Sequence, residues 1–239
     1  MKSENHKPVI AILGGTGAQG SALAKRWANA GYTIVIGSRS PQKATAVCKR
    51  ISIEVENANV SYENNLIAAE KGDLVVLCVP YASQRSTVET VRASLDGKVL
   101  IDATVPLIPP EVARVRLPDG GSAVAEIQSM LGDPVKVVSA FQNVAAHILE
   151  NLSSTVDCDV LVCGNDFEAR ETVIKLAAAI GVRAIHAGTI ANSAVAEALT
   201  SVLISINSRY KVRGAGIRIT GLSEELAGPG ESKPDKWVH

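Results

Sequence analysis

Aromatic side chains are scarce in this chain, only 3% of its 239 residues, although 46% are hydrophobic. Its interior must then be packed by Ala, Val, Ile and Leu, which suits parallel strands covered by helices on both faces. An excess of one charge is missing too, with 24 basic residues against 24 acidic. Nothing in that balance suggests the basic patch that a nucleic-acid partner needs. With four histidines and no Cys-x-x-Cys pair, no metal-ligand spacing is recognisable, and no metal site is expected. The four cysteines (Cys48, Cys78, Cys158 and Cys163) stand at unrelated spacings. Cys78 and Cys163 fall within the apolar runs Leu74–Val79 and Val160–Cys163, so both read as buried thiols. No apolar run approaches the roughly 18 residues of a membrane span. The apolar run Val9–Leu13 is too short for a secretory signal. The expectation is a cytoplasmic protein with no membrane partner.

What is present alternates. Short aliphatic runs predict strands at Val9–Leu13, Thr33–Ile36, Val60–Tyr62, Leu74–Val79, Val99–Asp102, Lys136–Ala140, Asp159–Cys163 and Arg183–His186. Helical periodicity falls between them at Gln19–Ala30, Pro41–Arg50, Asn64–Ala69, Ser86–Ser94, Asp166–Ile180 and Asn192–Arg209. Pro41 after Ser40 makes a helix start, and Gly31 and Gly181 stand where a helix C-terminus wants glycine. Such alternation predicts an α/β, doubly wound, mostly parallel sheet. Pro106–Gly121 reads as a long surface connection over a ligand crevice. Residues 1–150 are expected to form the main domain. Residues 151–227 would form a small C-terminal α/β lobe continuous with it, and residues 228–239 a loose tail or an arm to a neighbouring subunit.

Gly15-Thr16-Gly17-Ala18-Gln19-Gly20 fits G-x-G-x-x-G. The hexamer is weak alone, but it follows a strand, opens a helix and precedes a second strand within thirty residues of the first. Gly15 and Gly17 permit a tight turn whose N–H groups reach a pyrophosphate at the helix N-terminus. Gly20 allows close helix–strand packing. This is a dinucleotide-binding, Rossmann-type signature. An NAD site would place a carboxylate at the end of the second strand. Here no acidic residue occurs from Ser21 to Ile53, and Ser38, Arg39 and Lys43 stand there instead. A carboxylate would repel a 2′-phosphate, whereas a guanidinium can hold it through two parallel charge-assisted hydrogen bonds. The cofactor read from these residues is NADP(H).

Several catalytic signatures are missing. No tyrosine has a lysine four residues on, and there is no G-x-S-x-G elbow or phosphate loop ending in Gly-Lys-Ser/Thr. A reaction that moves only hydride needs no dedicated proton donor. The blocks GGTGAQG, IGSR with its following Lys43, LCVPY, VVSAFQNVAA, DVLVCGND and YKVRGAGIRITGL, spread from residue 9 to about 222, resemble the NADPH-dependent reductases of coenzyme F420.

The resemblance implies direct hydride exchange between NADPH and the 5-deazaflavin ring of F420, the second substrate. It implies that Thr16, Gly17, Ala18 and Gln19 contact the pyrophosphate, and that Ser38, Arg39 and Lys43 hold the 2′-phosphate. Val79, Pro80 and Val105 would pack along the adenosine or nicotinamide ribose. Ser139 to Ala146 would border the two rings, with backbone near Val144 and Ala146 aligning them. This sequence has Gln142 where many relatives have His, and Ala145 where many have Pro. A glutamine amide can orient a ring by hydrogen bonding but cannot act as an acid near pH 7. Gln142 and Asn143 are therefore expected to orient only. His147 could substitute, and otherwise reads as a packed helix histidine. Two other readings remain open: an NADPH-dependent reductase of another small planar electrophile, such as an imine or pterin-like ring, and a non-catalytic NADPH sensor. Helix Asn192–Arg209 carries an apolar stripe (Val195, Leu199, Val202, Leu203, Ile206) that serves either its own sheet or a homodimer.

Overall fold

The computed structural model describes residues 7–223. The expected tail, residues 228–239, lies outside the described residues. Along the chain run β1 (Ile10–Leu13), α1 (Ala18–Asn29), β2 (Ile34–Gly37), α2 (Pro41–Glu54), β3 (Val60–Glu63), α3 (Asn65–Lys71), β4 (Leu74–Leu77) and α4 (Tyr81–Val91). There follow β5 (Val99–Asp102), α5 (Ala123–Leu131), β6 (Lys136–Ser139), α6 (Ala146–Glu150), β7 (Asp159–Gly164), α7 (Phe167–Ala178), β8 (Arg183–His186) and α8 (Ser193–Tyr210). All eight strands join one sheet in the order β3-β2-β1-β4-β5-β6-β7-β8. The first six run parallel, β7 pairs antiparallel with β6, and β8 runs parallel to β7. This is the doubly wound architecture expected from the alternation.

Because β1 lies between β2 and β4, the chain winds outward in opposite directions from that point. The crevice beyond the C-terminal ends of β1 and β4 is where ligands of open α/β sheets bind. Both faces of the sheet are dry. Ile10, Ile12, Ile34, Ile36 and Val76 point to one face, and Ala11, Leu13, Val75, Leu77 and Leu100 to the other. With so few aromatics, Trp27 and Phe141 are the bulky exceptions, packed edge to face with centroids 5.8 Å apart.

Helix positions differ from expectation at α4, at α5 and at the short α6, which none of the expected helices covered. α4 starts at Tyr81 rather than Ser86, because Pro80 stands as its N-cap three residues after the end of β4. α5 was not foreseen. Its signals are short: Ser122 caps the helix by accepting from the Ala125 N–H, and Val124, Ile127 and Leu131 repeat at helical spacing. Residues Ile190–Tyr210 form one helical stretch that is, by length and composition, apolar enough to cross a membrane. In the fold this stretch packs on α5 and β7 and buries a carboxylate, Glu197.

Helix α1, which opens at the glycine turn, is bolted to the later part of the chain. Arg26, 7% exposed, donates to the carbonyls of Leu149 (2.6 Å), Ile148 (3.1 Å), Asn151 (2.8 Å), Ser154 (3.0 Å) and Ile180 (3.2 Å). These carbonyls belong to the C-terminal ends of α6 and α7 and the loop after α6, where helices leave acceptors unpaired. Beside it, Lys25 pairs with Glu54 at 2.8 Å and Glu150 at 2.6 Å, and Arg50 also meets Glu150. The Trp27 indole N–H donates to the Leu176 carbonyl.

Candidate active site

The turn between β1 and α1 is shaped by backbone contacts. Gly14 has φ +76°, and a Cβ there would stand 2.5 Å from the Cys78 carbonyl oxygen. A Cβ on Gly20 would lie 2.9 Å from the Gly14 carbonyl oxygen and the Gly15 Cα, so only glycine lets α1 approach the strand this closely. Gly17 is the N-cap of α1, which has no side-chain cap and no acidic residue in its first turn. The helix therefore presents uncapped N–H groups and a positive dipole end, suited to a phosphate.

In front of it lies a cavity of about 350 Å³ lined by Thr16, Gly17, Ser38, Arg39, Lys43, Val79 and Pro80, together with Gly14, Ser40, Asn65, Cys78, Ser83 and Thr87. The structure thus brings seven of the anticipated residues to one crevice. Arg39 and Lys43 are exposed, and among the described residues neither side chain has a carboxylate partner. Glu63, in register with Gly37 at the end of β2, is taken by Lys71. Ser38 is held by its hydroxyl, which accepts from the Ser40 N–H at 3.1 Å, and Ser40 caps α2. The unforeseen Ser83 and Thr87 lie one helical turn apart on α4. Their spacing pointed at the crevice only if α4 begins at Tyr81. Asn65 opens α3 beside Gly37, and its buried Oδ1 has no hydrogen-bond partner among the described residues.

Gly15, Ala18, Gln19, Val105, Val144, Ala146, Gln142 and Asn143 do not line this cavity. Gly15 is buried behind the turn. The Gln19 side chain is committed elsewhere, its Nε2 donating to the Phe141 carbonyl at 3.0 Å, so only its backbone sits at the helix start. This bond ties the glycine turn to the loop after β6. The Val144 side chain is buried in the core, while Val105 and Ala146 are half-buried near the ends of β5 and α6. His147 is exposed on the first turn of α6 and is not a packed residue. Cys163 is buried as expected, but Cys78 is only half-buried and borders the crevice. Desolvation pushes the thiols of both up, Cys163 to about 12.

The two orienting candidates need correction. Asn143, 2% exposed, donates from Nδ2 to the Asp159 carbonyl at 2.6 Å and accepts at Oδ1 from the Leu161 N–H at 3.4 Å. Its carboxamide staples the loop to β7 and is not offered to a ligand. Gln142, 4% exposed, donates from Nε2 to the Asp102 carbonyl at 2.7 Å, and its own carbonyl accepts from Thr200 of α8 at 2.9 Å. Its Oε1 is buried with no partner among the described residues. Gln142 thus fixes the loop after β6 to β5 and α8.

Beneath that loop is a polar layer that the sequence did not announce. Asp102, fully buried at the end of β5, accepts from the Thr104 N–H at 2.8 Å and from Gln84 Nε2 of α4 at 2.6 Å. Gln84 also reaches the Ala123 carbonyl. Glu197 of α8 accepts from the Ser122 hydroxyl and the N–H groups of Ala123 and Val124, completing the α5 N-terminus. Burial raises the carboxyls of both Asp102 and Glu197 above their ordinary range. A raised carboxyl favours the folded state at low pH, and that contribution is lost as pH climbs from the unfolded value near 3.8 through the folded one. Asp102→Asn, with Gln84 turned to accept, should remove this loss. In urea titrations the variant should gain on wild type from pH 4 to 8, at unchanged slope m. Parallel pH profiles would show that Asp102 does not titrate in this window.

Residues 9–106 match the family described as NADP oxidoreductase, coenzyme F420-dependent. The F420-dependent NADP reductase of Methanocaldococcus jannaschii is 44% identical over 89% of this chain and 98% of its own length. That of Methanothermobacter thermautotrophicus is 40% identical over 90% of this chain and 96% of its own. A crystal structure of a candidate F420-dependent NADP reductase from Arthrobacter sp. FB24 superposes with a TM-score of 0.75 at 26% identity, covering 90% of this chain and all of that one. The chain belongs to the F420-dependent NADP reductase family.

Proposed function

We propose that this protein exchanges a hydride directly between NADP(H) and the deazaflavin of coenzyme F420. The observation that carries the nucleotide half is the crevice itself: an uncapped helix N-terminus beside two cations with no carboxylate partner among the described residues. The residues present fit a dinucleotide bearing a third phosphoryl group. Thr16 and the α1 N–H groups would hold the pyrophosphate, and Ser38, Arg39 and Lys43 the 2′-phosphate. When bound, the nicotinamide supplies a two-electron hydride donor, and F420 takes the hydride with one proton from solution. The chain's own part is placement. Gln142 and Asn143 lock the loop after β6, Gln19 ties that loop to the nucleotide turn, and Arg26 anchors α6 behind it. Holding two reactants about 3–3.5 Å apart can supply much of the barrier reduction for such a transfer.

Mixing enzyme, NADPH and oxidised F420 should bleach the deazaflavin's visible band at a rate proportional to enzyme. Nucleotide binding without bleaching would move the assignment to another acceptor or to a sensor. The four free cysteines support a reducing, cytoplasmic setting. Residues 151–227 are read as a lobe carried on the same sheet, a division supported by the strand reversal between β6 and β7. The α8 stripe is divided, with Leu203 buried and Val195, Val202 and Ile206 exposed. That outer part supports a homodimer through α8.

A further inference from the structure

Asp102 closes β5, the strand between β4 and β6, and is fully buried. It stands in register with Leu77 and Ser139, the last residues of those two strands. Three segments that leave this edge of the sheet are tied to it. Its Oδ2 accepts from Gln84 Nε2 at 2.6 Å, and Gln84 lies on α4 between Ser83 and Thr87, which line the crevice. Its Oδ1 accepts at 2.8 Å from the Thr104 N–H, which sets the start of the segment carrying Val105. Its main-chain carbonyl accepts from Gln142 Nε2 at 2.7 Å and from the Ala140 N–H at 3.3 Å, both in the loop after β6.

As a carboxylate in this place, Asp102 works against stability. Its two oxygens have neutral donors only, and among the described residues no lysine, arginine or histidine pairs with it. The titratable groups around it are the Cys78 thiol at the end of β4 and the Glu197 carboxyl of α8, each held up partly by the Asp102 charge. α4 and β6 bring Gln84 and Ser139, neither of which titrates. Tyr81 at the start of α4 feels Glu126 and Glu197, and Glu126 of α5 is turned to the Gly120 N–H. Desolvation raises the Asp102 carboxyl in turn. A neutral carboxyl accepts more weakly than a carboxylate and turns one oxygen into a donor. Protonation therefore loosens the Thr104 and Gln84 bonds together. Gln84 cannot simply turn to follow. Its Nε2 also reaches the Ala123 carbonyl at 3.4 Å, and turning the carboxamide would set its Oε1 against that oxygen.

We infer that Asp102, as a carboxylate, is a positioning residue for the hydride transfer, holding α4 and the segments after β5 and β6 in the arrangement that brings the two reactants together. This deepens the reading of the protein as an NADP(H)–F420 exchanger and rests on it. Asp102 does not line the nucleotide cavity, so it acts through Gln84 and Thr104.

Asp102→Asn copies the neutral carboxyl in shape, and urea titration reports its folding. Initial rates of F420 bleaching at saturating NADPH, taken across the acid and neutral range, give the test. Wild-type kcat should fall on the acid side, with an inflection above the ordinary carboxyl value of 3.8. The Thr104 amide proton, followed by NMR, should shift with the same inflection. Asp102→Asn should show about a tenth of the wild-type kcat at neutral pH, without that inflection. Its dissociation constant for NADPH should stay within about threefold. Glu197→Gln should keep the inflection. If the asparagine variant does not fold, Gln84→Leu decides: loss of a donor to the carboxylate should move the kcat inflection to higher pH. A flat wild-type profile, an inflection that survives in Asp102→Asn, or one that stays in place in Gln84→Leu would overturn the positioning role and leave the F420 assignment standing. Wild type that bleaches no F420 would overturn both.

Discussion

Arg39→Glu should weaken NADPH binding by at least about a hundredfold while changing NADH by less than about threefold, read as dissociation constants from nicotinamide fluorescence. Arg39 sits at the C-terminal end of β2, one residue past a buried serine, with its side chain in the crevice and no carboxylate partner among the described residues. A guanidinium–phosphate contact has two parallel hydrogen bonds, each worth about 1.5–3 kcal/mol when charged. Exposure to water reduces that sum, and a glutamate adds repulsion of the doubly charged phosphate. A net loss near 3 kcal/mol corresponds to about a hundredfold in affinity. NADH has only a hydroxyl at that position, which a carboxylate accepts from readily. Equal losses for the two nucleotides would show that Arg39 does not touch the phosphate.

Arg26→Met should cost about 3–5 kcal/mol of stability. The guanidinium makes five contacts to backbone carbonyls, and burial, by desolvating the charge, lowers its pKa. Methionine keeps the apolar stem and removes every donor, leaving the ends of α6 and α7 and the loop between without partners. For a chain of this size the shift in thermal midpoint is roughly 10 °C. Arg26→Lys should recover only part, because an ammonium has three donors and no planar fork. A change below about 1 kcal/mol in urea unfolding would mean that water replaces the clamp freely.

These two arginines also show what the sequence made legible. The strand–glycine turn–helix unit and the acid-free stretch around Arg39 are local, so spacing alone placed Thr16, Gly17, Ser38, Arg39 and Lys43 in one crevice. Arg26 gave no such signal. It lies on a helix among ordinary solvent-facing residue types, and its partners are backbone carbonyls more than 120 residues away, which no side-chain pattern encodes. Asp102 and Glu197 were hidden for the same reason, each being a charged residue type whose burial is decided by helix N-termini and amides brought in by the fold. Gln142 and Asn143 were expected to hydrogen-bond a bound ring, whereas both amides donate to backbone carbonyls. Ser83 and Thr87 were missed because Pro80 starts a helix earlier than the apolar periodicity suggested.

The direct course of the transfer can be followed by isotope. NADPH carrying deuterium at the transferred C4 position, mixed with enzyme and oxidised F420 in ordinary water, should deliver that deuterium to the reduced deazaflavin carbon without washout. Deuterium recovered in solvent, or reduced F420 carrying only protium from label-bearing NADPH, would contradict direct hydride exchange between the two cofactors.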